Sequence, residues 1–502
     1  MKYIFNVSPN LRQPLSTKRI MRELTFGLLI VFAFSLFYYY KAYNMDYVMT
    51  AVKLMLASVG CALVTETLWA YVMRKGRTFD FAYIKEFLGG SFGWITAIIL
   101  TLMTPISIRP FALIIATLFS ILFAKLLFGG FGNNIFNPAA VGRAIIFATF
   151  MGATTDVVTS VTPTTLIAND FNWLVSDPTM ITKMMSEVGG LGTLFTGWYP
   201  GAVGETSALI ILLVGVYLSI RKVIDWRVPV VYLSTIFVLG ACIAVFKGVG
   251  AYEGLPGFVW YGLLHVITGG VVFGAVFMLT DPVTSPTSAP GRCIFALGAA
   301  IITVLIRMKA NLPEGCLYSI LMMNMFTPMI EKALEGKQLA LRKKANIIFA
   351  SVAVVGLGAV MLATSVVEAK QPAPKVFIST ADADVNKFDA KVDQQIDNGD
   401  GTITYQVSAQ GYASLEDPTI YNFFDVVVDS QTQTIKAFTP TKVNDTPYQG
   451  DKIENEAFLV QFVGLDLKSD VKVEKNDAVS EATFSSKSAV RAVEAVRQAL
   501  GY

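Results

Sequence analysis

The sequence predicts a multi-pass α-helical membrane protein, about ten spans plus one anchor span, followed by a small extracytoplasmic α+β domain. Three observations carry this. The 502 residues are 54% hydrophobic and only 15% charged, with a mean hydropathy of +0.55, whereas soluble domains carry about 25% charged residues. Apolar runs long enough for a bilayer recur along the first two thirds. Beyond residue 366 the composition turns polar and the apolar residues alternate.

The runs fall near 24–42, 47–73, 87–105, 109–128, 137–153, 202–220, 228–247, 257–279, 293–307, 316–334 and 346–365. Several are short or interrupted by glycine, which is tolerated where backbone lines a site inside the protein. Basic clusters give the orientation. Lys18, Arg19 and Arg22 precede the first run; Arg74, Lys75 and Arg77 follow the second. Arg221, Lys222 and Arg227 join the sixth and seventh, and Arg342, Lys343 and Lys344 precede the last. A cytoplasmic N-terminus puts every cluster inside. It also puts the 154–200 loop and everything after 366 outside. No small-residue cleavage site follows the first basic cluster, so that run reads as a retained span.

The tail opens with the linker Lys370-Gln371-Pro372-Ala373-Pro374-Lys375. Segments 401–407, 424–429 and 434–438 alternate apolar and polar residues, as half-buried strands do. In 485–500, Ala489, Val490, Ala492, Val493, Val496, Ala499 and Leu500 recur at helical spacing, an amphipathic helix suited to packing on a sheet.

Composition also excludes. A net charge of +3 is too small to argue for nucleic acid. Cys61, Cys242, Cys293 and Cys316 all sit in apolar runs without CxxC spacing, so neither zinc nor a self-contained iron–sulfur cluster is expected. His265, the lone histidine, rules out a histidine metal cluster. No metal site is expected.

Several polar junctions interrupt the runs. Pro138–Phe147 echoes Pro290–Phe295: each opens an apolar run after a Gly/Asn/Pro/Ser-rich junction, with Arg143 and Arg292 in matching places. This is either ordinary loop chemistry or a pair of half-sites for a cofactor or ion, with Asn137 beside the first. Glu205 and Thr206 open the sixth run, where a carboxylate suits the helix dipole; they cap the helix or contact a cofactor or cation. Asp281 in Thr280-Asp281-Pro282 ligates a cation, binds a cofactor hydroxyl or stops the helix. Finally, Asp156…Thr159…Thr162 in the outer loop repeats the spacing of Asp477…Ser480…Thr483 in the tail. Thr483 stands at the mouth of the last helix with Ser485 and Lys487 behind it. Unpaired N–H groups there favour a phosphate.

These residues resemble a known family. Phe131–Ala139, Gly204–Ala208 and Thr280–Thr284 are similar to RnfD of the Rnf complex and to NqrB of the sodium-pumping NADH:quinone oxidoreductase. Asn444–Gly450 and Ser480–Thr483 resemble the FMN-binding domain of RnfG. The chain looks like a fusion of the RnfD and RnfG types: 1–345 the membrane domain, 346–365 an anchor helix, and 366–502 the FMN-binding domain. The resemblance implies covalent FMN phosphoesters at Thr162 and Thr483, with Asp156, Thr159, Asp477, Ser480, Ser485 and Lys487 around them. Glu481 stands where the family has glycine, and Ser160-Val161 where it has Gly-Ala.

The expected protein is therefore a subunit of an Rnf-type ferredoxin:NAD oxidoreductase in the bacterial cell membrane. It would carry electrons through one or two covalent FMN groups, coupled to Na+ or H+ transport. A non-covalent riboflavin in the membrane part is a further expectation. The chain has no Rossmann fingerprint and no ferredoxin-like cysteine run, so NAD-binding and iron–sulfur subunits are expected partners, with a flavin transferase for maturation. The alternative is a transporter or scaffold with a non-redox outer domain.

Overall fold

The computed structural model describes residues 16–43, 45–74, 78–149, 162–175, 177–199, 201–205, 207–310, 315–336, 338–369, 377–379, 388–399, 401–411, 413–415, 417–444, 459–468, 472–474 and 483–502. The chain divides into two compact units, Met1–Lys370 and Gln371–Tyr502.

The first unit is helical. It begins with two long helices, α1 (Thr17–Ala42) and α2 (Met45–Val72). Then come α3 (Phe81–Ser91), α4 (Gly93–Leu102), α5 (Pro110–Ile121), α6 (Pro138–Thr149) and α7 (Pro163–Phe171). Two short helices follow, α8 (Pro178–Glu187) and α9 (Gly190–Thr196), then α10 (Ala208–Ile220), α11 (Arg227–Lys247), α12 (Gly257–Ile267) and α13 (Val271–Phe273). The unit closes with α14 (Ala289–Lys309), α15 (Gly315–Ala333) and α16 (Gln338–Ser365).

Helix occupies all eleven apolar runs, but the runs are not equivalent. Among the described residues, five helices are long and apolar enough to cross a membrane. Those five are α1, α2, α11, α14 and the Leu341–Ser365 part of α16. The run at 87–105 is broken where Phe92 takes φ 56°, ending α3 and starting α4. Gly89, Gly90 and Ser91 are weak helix formers, which explains why the break falls there. The run at 257–279 is α12 and α13 bent by 67°, at Thr268–Gly270. The helices at 93–102, 110–126, 138–149 and 208–220 are shorter apolar elements.

Two further irregularities share a device that leaves no trace in the sequence. Five-residue π turns follow α5 (Leu122–Leu126) and α13 (Gly274–Met278). Each leads into a polar junction, and each junction leads into a helix opening on Pro138 or on Ala289-Pro290. The echo in sequence is thus an echo in structure. Small residues let helices close up: a Cβ on Gly240 of α11 would lie 3.1 Å from the Gly262 Cα of α12. Close backbone approach of this kind is how helices associate where solvent offers no hydrophobic drive.

The second unit holds the antiparallel sheet β2-β3-β4-β5 (Ala390–Asp397, Thr402–Ala409, Asn422–Asp429, Ile435–Lys442). A separate pair joins β1 (Phe377–Ser379) to β6 (Lys472–Glu474). Three strands fall where alternation placed them; β2, whose residues are mostly exposed, gave no such signal. Phe424, Val426 and Val428 of β4 point inward against Ala489, Val490, Ala492, Val493 and Val496 of the final helix α17 (Thr483–Ala499). Phe438 stacks between Phe424 and Phe462, with centroids 5.4 and 4.3 Å away.

Phe438→Ala removes the middle of this stack and should cost the second unit about 3–5 kcal/mol. Pulse proteolysis of the full chain in urea would show a lower midpoint for the tail. Tryptophan fluorescence, whose six reporters all lie before residue 371, should not change.

Candidate functional site

The centre of the first unit is a buried ion pair that no motif in the sequence singles out. Glu66 on α2 and Lys125 in the first π turn lie 2.9 Å apart, their side chains 0% and 3% exposed. Each charge is held by further polar partners. Ser91 Oγ donates to Glu66 Oε1 and the Gly93 N–H donates to Oε2. Lys125 Nζ also donates to the Ser91 carbonyl. The α3–α4 break thus presents its polar atoms to the pair. A Cβ on Gly93 would fall inside the Glu66 carboxylate, so only glycine fits there. The available signal was a glutamate and a lysine inside apolar runs, which are costly and mark function by default.

Lys125 lines a cavity of about 70 Å3 together with Asn134, Asn137, Thr280 and Asp281, closed on the apolar side by Phe92, Phe131 and Phe277. A water needs about 10–15 Å3 of such space, so the cavity as it stands takes a few waters or a bare ion. The two π turns bring Lys125 and Asp281 to it from the two echoing halves. Asp281 is half-buried and accepts hydrogen bonds from the Val283 N–H (3.2 Å) and Thr284 Oγ1 (3.0 Å). Next to this cavity a wider polar one of about 470 Å3, lined by Lys222, Asp225, Arg227 and Arg292, shares Val223, Ile224, Thr280 and Pro282 with it.

Asn137 holds the junction together. Its side-chain oxygen accepts from the Ala139 and Ala140 N–H groups and caps α6, while its own N–H donates to Asn324 on α15. The two echoing arginines are held differently. Arg143 is buried with its guanidinium 4.3 Å over the Phe147 ring. Arg292 donates to the Pro286 carbonyl and to Asp225.

A second cluster gathers at the α12–α13 bend. Arg307 of α14 donates to the carbonyls of His265 (2.5 Å) and Thr268 (2.7 Å), the open end of the broken span. His265 is buried and stacks on Trp173 at 5.0 Å, with Tyr261 edge-on. Neither of its ring nitrogens has a hydrogen-bond partner among the described residues. Glu205 is buried, its Oε1 pressed against Gly270 in the same bend. Backbone bonds from Val203 to Thr104 and from Gly204 to Leu102 dock that segment onto the end of α4.

Thr162 is the N-cap of α7, and among the described residues no side chain caps the helix. Its half-buried hydroxyl lies 3.1 Å from Thr164 Oγ1 and 2.9 Å from Thr165 Oγ1. A phosphoester at this oxygen would meet the uncapped first-turn amides, so the position fits a nucleotide phosphate. Thr483 begins α17, and Lys487 lies one turn on. Asp156, Thr159, Thr206, Asp477 and Ser480 lie outside the described residues, as do the side chains of Thr483 and Ser485.

Helices broken around buried charges, with half-helix ends aimed at a cavity, are the build of membrane proteins that handle ions. Residues 4–340 match the NQR2, RnfD, RnfE family, and the chain belongs to it. It is 34% identical over 348 residues to the D component of the proton-translocating ferredoxin:NAD(+) oxidoreductase complex of Clostridium ljungdahlii, covering 66% of this chain and 95% of that one. It is 32% identical over 334 residues to the Na(+)-translocating counterpart of Acetobacterium woodii, covering 65% and 91%. The B component of the Na(+)-translocating NADH-quinone reductase of Chromohalobacter salexigens is 32% identical over 253 residues, 47% and 57%.

Gly93→Ala should unseat the Glu66 carboxylate from Lys125. Breaking a buried ion pair costs about 3–5 kcal/mol, so the detergent-solubilised chain should melt several degrees lower. Gly89→Ala, where nothing lies within 4 Å of the new Cβ, is the neutral comparison.

Proposed function

We propose that this chain is a membrane subunit of an ion-translocating electron-transport complex of the Rnf type, a ferredoxin:NAD oxidoreductase. The observation that carries the reading is Lys125, paired with the buried Glu66, and Asp281 at one cavity beside two echoing π turns, in a family with relatives named as ion-translocating. Relatives in the same family are named for protons and for sodium, so the fold alone does not select the ion.

The reading extends to redox groups. FMN would be held by phosphoesters at Thr162 and Thr483, and when bound it supplies one- and two-electron carriage. Thr162 offers the hydroxyl and the uncapped amides of α7. A covalent tether suits an outer-face domain that cytoplasmic flavin cannot refill. Arg307 and His265 fix the bent span close by: Thr164, whose hydroxyl meets that of Thr162, presses against Gly269 in the bend. A non-covalent riboflavin would need the Asn137 cavity to open beyond its present size.

In this reading 1–345 is the membrane domain, 346–365 an anchor and 366–502 the FMN-binding domain, with the N-terminus cytoplasmic and the tail outside. Iron–sulfur and NAD-binding subunits complete the complex, and a flavin transferase matures it.

The test is flavin fluorescence on a denaturing gel after co-expression with a flavin transferase. Thr162→Ala and Thr483→Ala should each halve the signal, and the double variant should abolish it. A signal lost with one change alone would assign a single site. A parent chain without covalent flavin would defeat the redox reading and leave a transporter or scaffold.

A further inference from the structure

The Lys125 ammonium sits in a seat made of oxygens. The Glu66 carboxylate lies 2.9 Å away, and the Ser91 carbonyl accepts a second hydrogen bond from the ammonium. Carboxylate and carbonyl oxygens are the donors that hard cations take. Two of the three ammonium protons are thus engaged among the described residues, and the same side chain forms part of the cavity wall. Asp281 forms another part of that wall, its carboxylate bound among the described residues by a loop N–H and a hydroxyl of its own segment. The cavity wall therefore carries one carboxylate, Asp281, and one cation, Lys125, whose partner Glu66 is fully buried and takes no part in that wall. Lys125 also rides on a π turn rather than a regular helix, an irregularity that often marks functional positions.

From this arrangement we propose that Lys125 is a resident cation. A monovalent alkali cation entering the cavity displaces its ammonium from Glu66 and the Ser91 carbonyl, and Asp281 receives the displaced head group. Charge is conserved in the seat: one cation leaves Glu66 as another arrives. The lysine thereby keeps Glu66 from standing as an unpaired buried charge between transport events, a state that is strongly destabilising. The proposal rests on the ion-translocating reading above and is independent of any flavin.

The experiment uses the full chain purified in detergent, with ionic strength held constant by choline chloride and Na+ as the probe. Thermal unfolding is followed by tryptophan fluorescence for the parent, Lys125→Gln, Lys125→Met and Glu66→Gln/Lys125→Gln. Both single variants should melt lower in choline and recover saturably as NaCl replaces it. The NaCl concentration for half-recovery should be roughly tenfold or more below that for any response of the parent, because the parent must first give up its lysine. The double variant, with no carboxylate in the seat, should be indifferent to the salt.

Several results would overturn the proposal: no recovery of either single variant in NaCl, KCl or LiCl; failure of both to fold in every salt; or a sodium response retained by the double variant. Recovery on acidification but not with salt would also overturn it, because Glu66 would then be taking a proton. None of these results bears on ion transport by the complex carrying the parent chain, which tests the broader reading separately.

Discussion

A helix broken inside a low-dielectric interior leaves backbone groups that only the protein can satisfy. Much of the first unit follows from that constraint. At the α3–α4 break, Lys125 takes the Ser91 carbonyl and Glu66 takes the Gly93 N–H. At the α12–α13 bend, Arg307 takes the carbonyls of His265 and Thr268. At the opening of α6, Asn137 caps the first amides. Each break is therefore paired with a polar or charged side chain that completes it. Those side chains, once buried, need partners of their own. The irregular backbone and the buried charges are one problem solved together, and the cavity lies beside the first of these solutions.

The sequence made the helices and the tail strands legible because each leaves a periodic trace. Apolar runs located every helix that could span, and the alternation of Phe424, Val426 and Val428 marked β4. It did not distinguish a straight span from a broken one, because the stretch from residue 87 to 105 is apolar whether or not Phe92 turns left-handed. The π turns are likewise invisible: Leu122–Leu126 and Gly274–Met278 differ in composition and share only a hydrogen-bond register.

The site was partly legible. Asn137, Asp281 and Glu205 stand at junctions rich in turn-forming residues, where chemistry is to be sought, and they do border the cavity or the bend. Glu66 and Lys125 stand at no such junction: each is a charge inside a long apolar run, and their pairing spans 59 positions. The echo of Arg143 and Arg292 in sequence accompanies a repeat in structure that lies in the preceding turns. The arginines themselves have diverged, one onto an aromatic ring and the other onto Asp225.

A π turn is an α-helix carrying one residue too many, and successive residues of an α-helix are about 100° apart around the axis. The extra residue therefore sets which way everything beyond it faces. The polar junctions that follow the two turns owe their facing across the cavity to a pair of single-residue offsets. A deletion at either turn would leave composition and hydropathy almost unchanged, yet it would rotate one wall of the cavity away from the other. Sequence length in these two places is thus as much a part of the site as the identity of any side chain in it.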